Sequence, residues 1–377
     1  MKLPRWLPAC LLPACLWLLS VLVCAVGHAQ VTGQQRAEAV GHDLVGSPAP
    51  HKILRTIDGE TIDLGSLYGK KAVYLKFWAT WCVPCREQMP HFERAFESEG
   101  TDLEVIAVNA GFNDSIDDVR AYRKQLGIRM PIVIDDGTLG AALNLRVTPQ
   151  HVVIGRDGRI QYVGHLANQR LDAAIQAARS SPAAGALSET SVSGGASPMS
   201  QSKPGSQSKP GETSASAGAS PMSQSGPGDL APAISVKTLD GSQFDFQQPG
   251  GQHHPAVLVF LSPWCESYLE TSRASVSANC RDVRAQVDAL AKQHPQVRWL
   301  GIASGIWATK DDLSKYRTDY KVAIPLTLDE SGTLFRTFQV RNVPTVIVID
   351  THGRIERRIN GGDPKLTAQL QAVALTR

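Results

Sequence analysis

Two cysteines three residues apart stand in the run Trp81-Cys82-Val83-Pro84-Cys85, which closes an apolar stretch and opens an amphipathic one. At a strand-to-helix junction that spacing suits thiol–disulfide exchange. Cys82 is expected at a helix N-terminus, where unpaired N–H groups and the helix dipole favour a thiolate, the nucleophilic form. Cys85, in the first turn, can then attack a mixed disulfide formed at Cys82. Pro84 is tolerated between them because its missing N–H would have no intrahelical partner. A zinc site would need two more Cys or His ligands at suitable spacing, and none follows in this part of the chain. A purely structural disulfide would not call for the strand-to-helix setting.

The other cysteines are read against the whole chain of 377 residues. Cys10, Cys15 and Cys24 lie in an apolar leader, so Cys265 and Cys280 are the only further candidates for redox work. Lys2 and Arg5 precede the apolar residues 14–26, and Gly27-His28-Ala29 supplies small residues before Gln30. This predicts a cleaved signal peptide over 1–29. The alternative is a retained N-terminal membrane anchor, but even counted from Trp6 the stretch is interrupted by Pro8 and Pro13, and a span needs about 20 apolar residues. Lipidation at Cys24 is disfavoured by Val23, where a small residue is expected. Either way the chain is expected to work outside the cytoplasm, in the periplasm, where disulfides persist. The formal charge of +3 falls to +1 without residues 1–29, which carry Lys2, Arg5 and no acid. That near-neutrality argues against a nucleic-acid partner.

The elements that must hold these cysteines follow from periodicity. Residues 72–78 and 103–109 read as buried strands, and 83–97 as a helix with Met89, Phe92 and Phe96 on one face. Asp114/Ser115 can cap a helix whose Ile116, Val119 and Leu126 face inward and which ends at Gly127. Residues 151–154 and 160–163 form a hairpin around Arg156-Asp157-Gly158, and 171–179 closes as a helix. The fold class is α/β: a mixed sheet with helices on its faces.

From 180 to 229 the chain is rich in Ser, Pro, Gly, Ala and Gln, and Ala196-Ser197-Pro198-Met199-Ser200-Gln201-Ser202 returns at 219–225. Too little apolar area is available there to offset ordering entropy, so a flexible linker is expected. The flanks repeat each other. Thr56-Ile57-Asp58-Gly59 returns as Thr238-Leu239-Asp240-Gly241, Trp81-Cys82 as Trp264-Cys265, and Gly158-Arg159-Ile160 as Gly353-Arg354-Ile355. The second copy carries about a dozen extra residues between Cys265 and Leu300.

The segment Phe77-Trp78-Ala79-Thr80-Trp81-Cys82-Val83-Pro84-Cys85-Arg86-Glu87 resembles the active-site segment of the thioredoxin superfamily, in its extracytoplasmic TlpA/ResA-like branch. The resemblance spans nearly all of residues 45–180. It implies two thioredoxin-like folds in tandem: an N-terminal extension over 30–44, an active domain over 45–179, the linker 180–229, and a second, modified domain over 230–377. It also implies a kink at Pro90 and a cis-proline step at Thr148-Pro149 that presents backbone to a bound client. Lys76 departs from the pattern, standing where cytoplasmic thioredoxin has a buried Asp. Gln88 stands where ResA-like proteins have Glu, and Glu87, one residue earlier, is the candidate acid–base group. His151 reads as a strand residue.

In the second copy Pro263-Trp264-Cys265 keeps the nucleophile position, but Tyr268 replaces the second cysteine and the usual dithiol cycle cannot run. On one continuous helix Cys280 would lie about 22 Å from Cys265, beyond disulfide reach. The helix-indifferent run Glu270-Thr271-Ser272-Arg273-Ala274-Ser275-Val276-Ser277 allows a break, so a Cys265–Cys280 disulfide is expected, structural or slowly redox-active. Val343-Pro344-Thr345 keeps the cis-proline pattern. The expected function is an exported protein disulfide reductase working through Cys82 and Cys85, supported by Trp81, Pro84, Thr148, Pro149 and Glu87. Resemblance implies disulfide-bearing clients, such as apocytochrome c or copper-site proteins, and a membrane thiol electron donor. No cofactor motif and no metal site is read, His253-His254 being taken as a surface loop. The contrasting readings are a copper or metal chaperone, a client-binding adaptor, and a peroxiredoxin-like second domain.

Overall fold

The computed structural model describes residues 32–182, 226–247 and 254–363, with scattered positions over 365–372. The leader 1–29, nearly all of the linker and His253 lie outside the described residues. The first half runs α1 (Gly33–Leu44), β1 (Ile53–Arg55), β2 (Thr61–Asp63), α2 (Leu64–Leu67), β3 (Ala72–Trp78), α3 (Val83–Glu87), α4 (Met89–Glu97), β4 (Leu103–Asn109), α5 (Ile116–Leu126), β5 (Ile132–Ile134), α6 (Thr138–Ala142), β6 (Gln150–Ile154), β7 (Ile160–Gly164) and α7 (Gln169–Arg179). Its main sheet has the order β5-β4-β3-β6-β7, with β3, β4 and β5 parallel and β6 antiparallel to both its neighbours.

The second half repeats the plan: β8 (Ser235–Lys237), β9 (Gln243–Asp245), β10 (Ala256–Leu261), α8 (Cys265–Tyr268), α9 (Ala274–Gln293), β11 (Arg298–Ser304), α10 (Lys310–Asp319), β12 (Leu326–Asp329), α11 (Thr333–Thr337), β13 (Thr345–Ile349) and β14 (Ile355–Asn360). The sheet order is again the same, β12-β11-β10-β13-β14. These are two thioredoxin-like mixed sheets flanked by helices.

β3 is buried along its whole length, as a central strand covered on both faces must be. Its period of two divides the core. Val73, Leu75 and Phe77 pack with Ile106, Val108 and Val152 on one face, while Ala72, Tyr74 and Trp78 join Leu103, Val105, Cys82, Cys85 and Phe92 on the other. By the same parity Lys76 is carried on the cysteine face.

The expected helix over 83–97 is broken at Gln88 into α3 and α4. Pro90, near the start of α4, has no N–H to bond back to Arg86. Ser115 caps α5 in a reciprocal pair with Asp118, and Gly127 ends it at φ 65°. Ile116, expected to face inward, is exposed; residues 115–117 all face solvent and the packed stripe starts at Val119. The extension 30–44 contributes α1, whose Ala37 and Val40 are buried and whose Gly41 lies against Val163. At the linker's edges, Ser181 Oγ accepts the Arg156 N–H and Gly228 N–H bonds the Ile355 carbonyl, so both ends are tied to the folded halves. Among the described residues no helix is long and apolar enough to cross a membrane.

Candidate active site

β3 ends at Trp78, and the chain turns directly into α3 with Cys82 as its N-cap. The Cys82 sulfur accepts the Cys85 N–H at 3.2 Å, filling one of the orphan donors of the first turn. Cys82 and Cys85 are joined as a disulfide with Cα atoms 5.2 Å apart, and both are buried, Cys82 at 1% exposure. Pro84 takes the first-turn place expected of it. Trp81 is fixed from below, its Nε1 donating to the Phe112 carbonyl at 2.8 Å. The Thr148–Pro149 bond is cis. Phe77 pairs with Gln150 in the sheet, so Pro149 lies at the same sheet end as the Trp81-Cys82 turn. The Pro149 carbonyl accepts from His165 Nδ1 at 2.7 Å.

Beneath the disulfide is a group whose chemistry the sequence left unused. Lys76 is fully buried, its Nζ donating to the Cys85 carbonyl at 3.3 Å and lying 5.2 Å from the Phe92 ring centroid. Burial pushes its amine down to about 7. The signal was present in the sequence, as one charged residue in an otherwise apolar central strand. His151 is a buried strand residue, as expected. Its ring bridges the Tyr74 hydroxyl at Nδ1, 2.8 Å, and Gln88 Oε1 at Nε2, 2.9 Å. Since Gln88 Oε1 can only accept, Nε2 carries the proton and Nδ1 accepts from Tyr74. Burial, with the Lys76 charge next in weight, holds the His151 pKa well below the usual range. Gln88 Oε1 also accepts the Ala167 N–H, and its Nε2 donates to the His165 carbonyl, so this residue ties the helix break to the far end of β7. Glu87 is exposed on α3.

Asp114, which the sequence offered only as a helix cap, serves a different purpose. Its carboxylate is fully buried and accepts from Thr80 N at 2.8 Å, Thr80 Oγ1 at 2.6 Å, Asn109 Nδ2 at 2.7 Å and Arg273 Nη2 at 3.0 Å. Burial raises its pKa, against the lowering effect of those hydrogen bonds.

In the second half, the break over Leu269–Arg273 separates α8 from α9 and lets the chain fold back. Cys265 and Cys280 are thereby bonded with Cα atoms 6.3 Å apart. The extra residues of this copy lengthen α9 to 20 residues, against 9 in α4. Trp264 Nε1 donates to the Ile306 carbonyl, the counterpart of the Trp81 bond, and Val343–Pro344 is cis like its partner in the first half.

No local pattern along the chain announces how these two faces meet. Trp81 and Trp264 stack with ring centroids 4.9 Å apart, and Tyr268 packs edge-on against Trp81 at 6.4 Å. The Tyr268 hydroxyl accepts the Val83 N–H at 3.1 Å. Trp307 Nε1 donates to Thr148 Oγ1 at 3.1 Å, and the Val343 N–H donates to Asn113 Oδ1 at 2.8 Å. Arg273 bonds Asp114, Thr80 and the Asn113 carbonyl. The cysteine face of the first half is thus covered by the matching face of the second. Among the described residues no three His, Cys, Asp or Glu side chains converge as a metal-binding set.

Residues 45–163 and 227–358 match the family model described as the AhpC/TSA family. The chain is 33% identical over 149 residues to the thiol-disulfide oxidoreductase ResA of Bacillus subtilis (strain 168), an overlap of 38% of this chain and 78% of the relative. It is 35% identical over 130 residues to the thioredoxin-like protein YneN of the same organism, covering 34% of this chain and 76% of that one. A crystal structure of a thiol:disulfide interchange protein of the thioredoxin family from Chlorobium tepidum TLS superposes with a TM-score of 0.30 at 30% identity, over 35% of this chain and 95% of that one.

Proposed function

Because this chain belongs to the thioredoxin-like AhpC/TSA family and is a thiol–disulfide oxidoreductase, we propose that Cys82 and Cys85 are its working pair and that it reduces disulfides of client proteins outside the cytoplasm. The observation that carries this reading is the Cys82 sulfur held at the start of α3, where it already accepts the Cys85 N–H. The same donor, with the first-turn dipole, stabilises negative charge on that sulfur once the disulfide is opened. The Cys82 thiolate attacks a client sulfur, a Cys82–client bond forms, and the client's second sulfur leaves as thiolate. Cys85 then attacks Cys82, closing the Cys82–Cys85 bond and releasing the client with both cysteines reduced. For Cys85 to attack it must lose its proton. Lys76, buried against the Cys85 backbone with an amine near 7, is the group suited to take it at neutral pH. Trp81, Pro84 and the Thr148-Pro149 step shape the surface a client approaches.

Residues 45–179 are read as the active domain and 230–377 as a second, modified one, in keeping with the two family matches. The leader's composition supports export, and the TlpA/ResA resemblance supports a membrane thiol as electron donor. The test is the reduction potential of the Cys82–Cys85 pair in the full chain, read by peptide-resolved alkylation in dithiothreitol buffers, beside insulin reduction by wild type and Cys82→Ser. A potential near thioredoxin's, roughly −270 mV, with turnover lost in Cys82→Ser, supports the reductase; one near roughly −120 mV makes the protein a disulfide donor instead.

A further inference from the structure

We propose that the Cys265–Cys280 disulfide is a client carried on the same chain: the reduced Cys82–Cys85 pair passes its electrons to it across the contact between the two halves. The inference rests on Cys82 and Cys85 being the working pair.

The geometry supports it in three ways. First, the residues flanking the two leading cysteines touch. Trp81 precedes Cys82, Trp264 precedes Cys265, and their rings stack at 4.9 Å. Tyr268, which closes the short helix begun by Cys265, accepts the N–H of Val83, the residue after Cys82. Second, the second half lies where a client would. Trp307 takes the Thr148 hydroxyl beside the cis-proline, and Arg273 occupies the buried carboxylate of Asp114 at the Thr80 turn. Third, Cys82, Cys85, Cys265 and Cys280 all belong to one continuous apolar cluster running through both halves, and Cys82 and Cys265 are each 1% exposed. In this closed arrangement an outside protein reaches Cys82 only when the halves part, whereas the Cys265–Cys280 disulfide lies in the same apolar cluster throughout.

The exchange balances without any outside oxidant. The Cys82 thiolate bonds to the Cys265 sulfur as the Cys265–Cys280 bond breaks, and Cys280 leaves as a thiolate that takes a proton. The Cys85 thiolate then attacks Cys82, the Cys82–Cys85 bond closes, and Cys265 leaves and is protonated in turn. Two electrons and two protons have moved from the first pair to the second. Opening of the halves admits the dithiol that reloads Cys82–Cys85; closing hands the electrons on.

The experiment uses the oxidised full chain with limiting dithiothreitol, quenched in acid over time, alkylated and mapped by peptide. Three samples are compared: wild type, Cys82→Ser/Cys85→Ser, and the latter mixed with wild type so that the pair acts in trans. Expected is a Cys265–Cys280 opening rate in wild type that does not change with protein concentration. It should exceed the in-trans rate by about 10²-fold, since linked partners meet at about millimolar effective concentration against about 10 micromolar for separate chains. Arg273→Glu, which opposes a carboxylate to Asp114, should bring wild type down toward the in-trans rate. Equal rates in wild type and Cys82→Ser/Cys85→Ser overturn the inference. Insulin reduction on the same preparations separates the two readings: turnover with no relay sinks this inference alone, whereas loss of turnover in wild type removes the working pair itself.

Discussion

Replacing Lys76 with Met removes a buried amine from the floor of the active site while keeping a flexible side chain of similar length. The ordinary lysine value of 10.5 falls to about 7 in the folded chain, with desolvation as the cause. Between those values the unfolded chain holds a proton that the folded chain does not, so stability rises with pH across the window from about 7 to 10.5 and the cost of Lys76 is fully felt below about 7. At 1.36 kcal/mol per unit, that cost is roughly 5 kcal/mol at pH 6 and roughly 2 kcal/mol at pH 9. Lys76→Met should therefore be the more stable chain at pH 6, with an advantage that shrinks by about 3 kcal/mol at pH 9. Urea midpoints of the oxidised chain at several pH values, read by tryptophan fluorescence, measure it. A second readout is catalytic: the rate at which Cys85 releases a trapped client should lose its midpoint near 7 in Lys76→Met and keep it in Glu87→Gln. Parallel pH dependences of stability in wild type and Lys76→Met would falsify the assignment of a neutral buried amine.

Three further substitutions probe the contacts around this site. Arg273→Ala leaves the buried Asp114 carboxylate without its cation. Because Arg273 is itself partly exposed, the loss should be about 2 kcal/mol, below the figure for a fully buried pair, and roughly a 30-fold faster alkylation of reduced Cys82 as the halves part. An unchanged alkylation rate would show that this pair does not hold them together. Gln88→Ala strips partners from His151 Nε2, the Ala167 N–H and the His165 carbonyl, and should cost about 1–3 kcal/mol, seen as a lower thermal midpoint with Cys82–Cys85 still formed. Cys265→Ser/Cys280→Ser opens a loop with a sequence separation of 15, and calorimetry should find the second half destabilised by about 3 kcal/mol.

Much of this protein was legible in one dimension because the signals are local. The apolar run 72–78, the cap at Ser115 with Gly127 behind it, and the placement of Cys82 and Cys85 across a strand-to-helix turn depend on near neighbours along the chain. So does the duplication, which a shared spacing of turns, Trp-Cys and Val/Thr-Pro pairs records directly. The inward face of α5 was misjudged at Ile116 because periodicity gives a helix's stripe and not where its packing begins. The short strands β1, β2 and β5 and the polar helix α1 carried too little pattern to declare themselves.

What tertiary structure alone decided is the environment. Lys76 is an ordinary lysine until the strands and helices around it exclude water, and only then does its amine fall toward neutrality. Gln88 and His151 are 63 positions apart in sequence, and Arg273 and Asp114 are 159 apart. Composition suggested two halves on either side of a linker, and the contact that closes one cysteine face upon the other could not be read from it. That contact depends on which side chains protrude from two finished surfaces, and a surface exists only after the chain has folded.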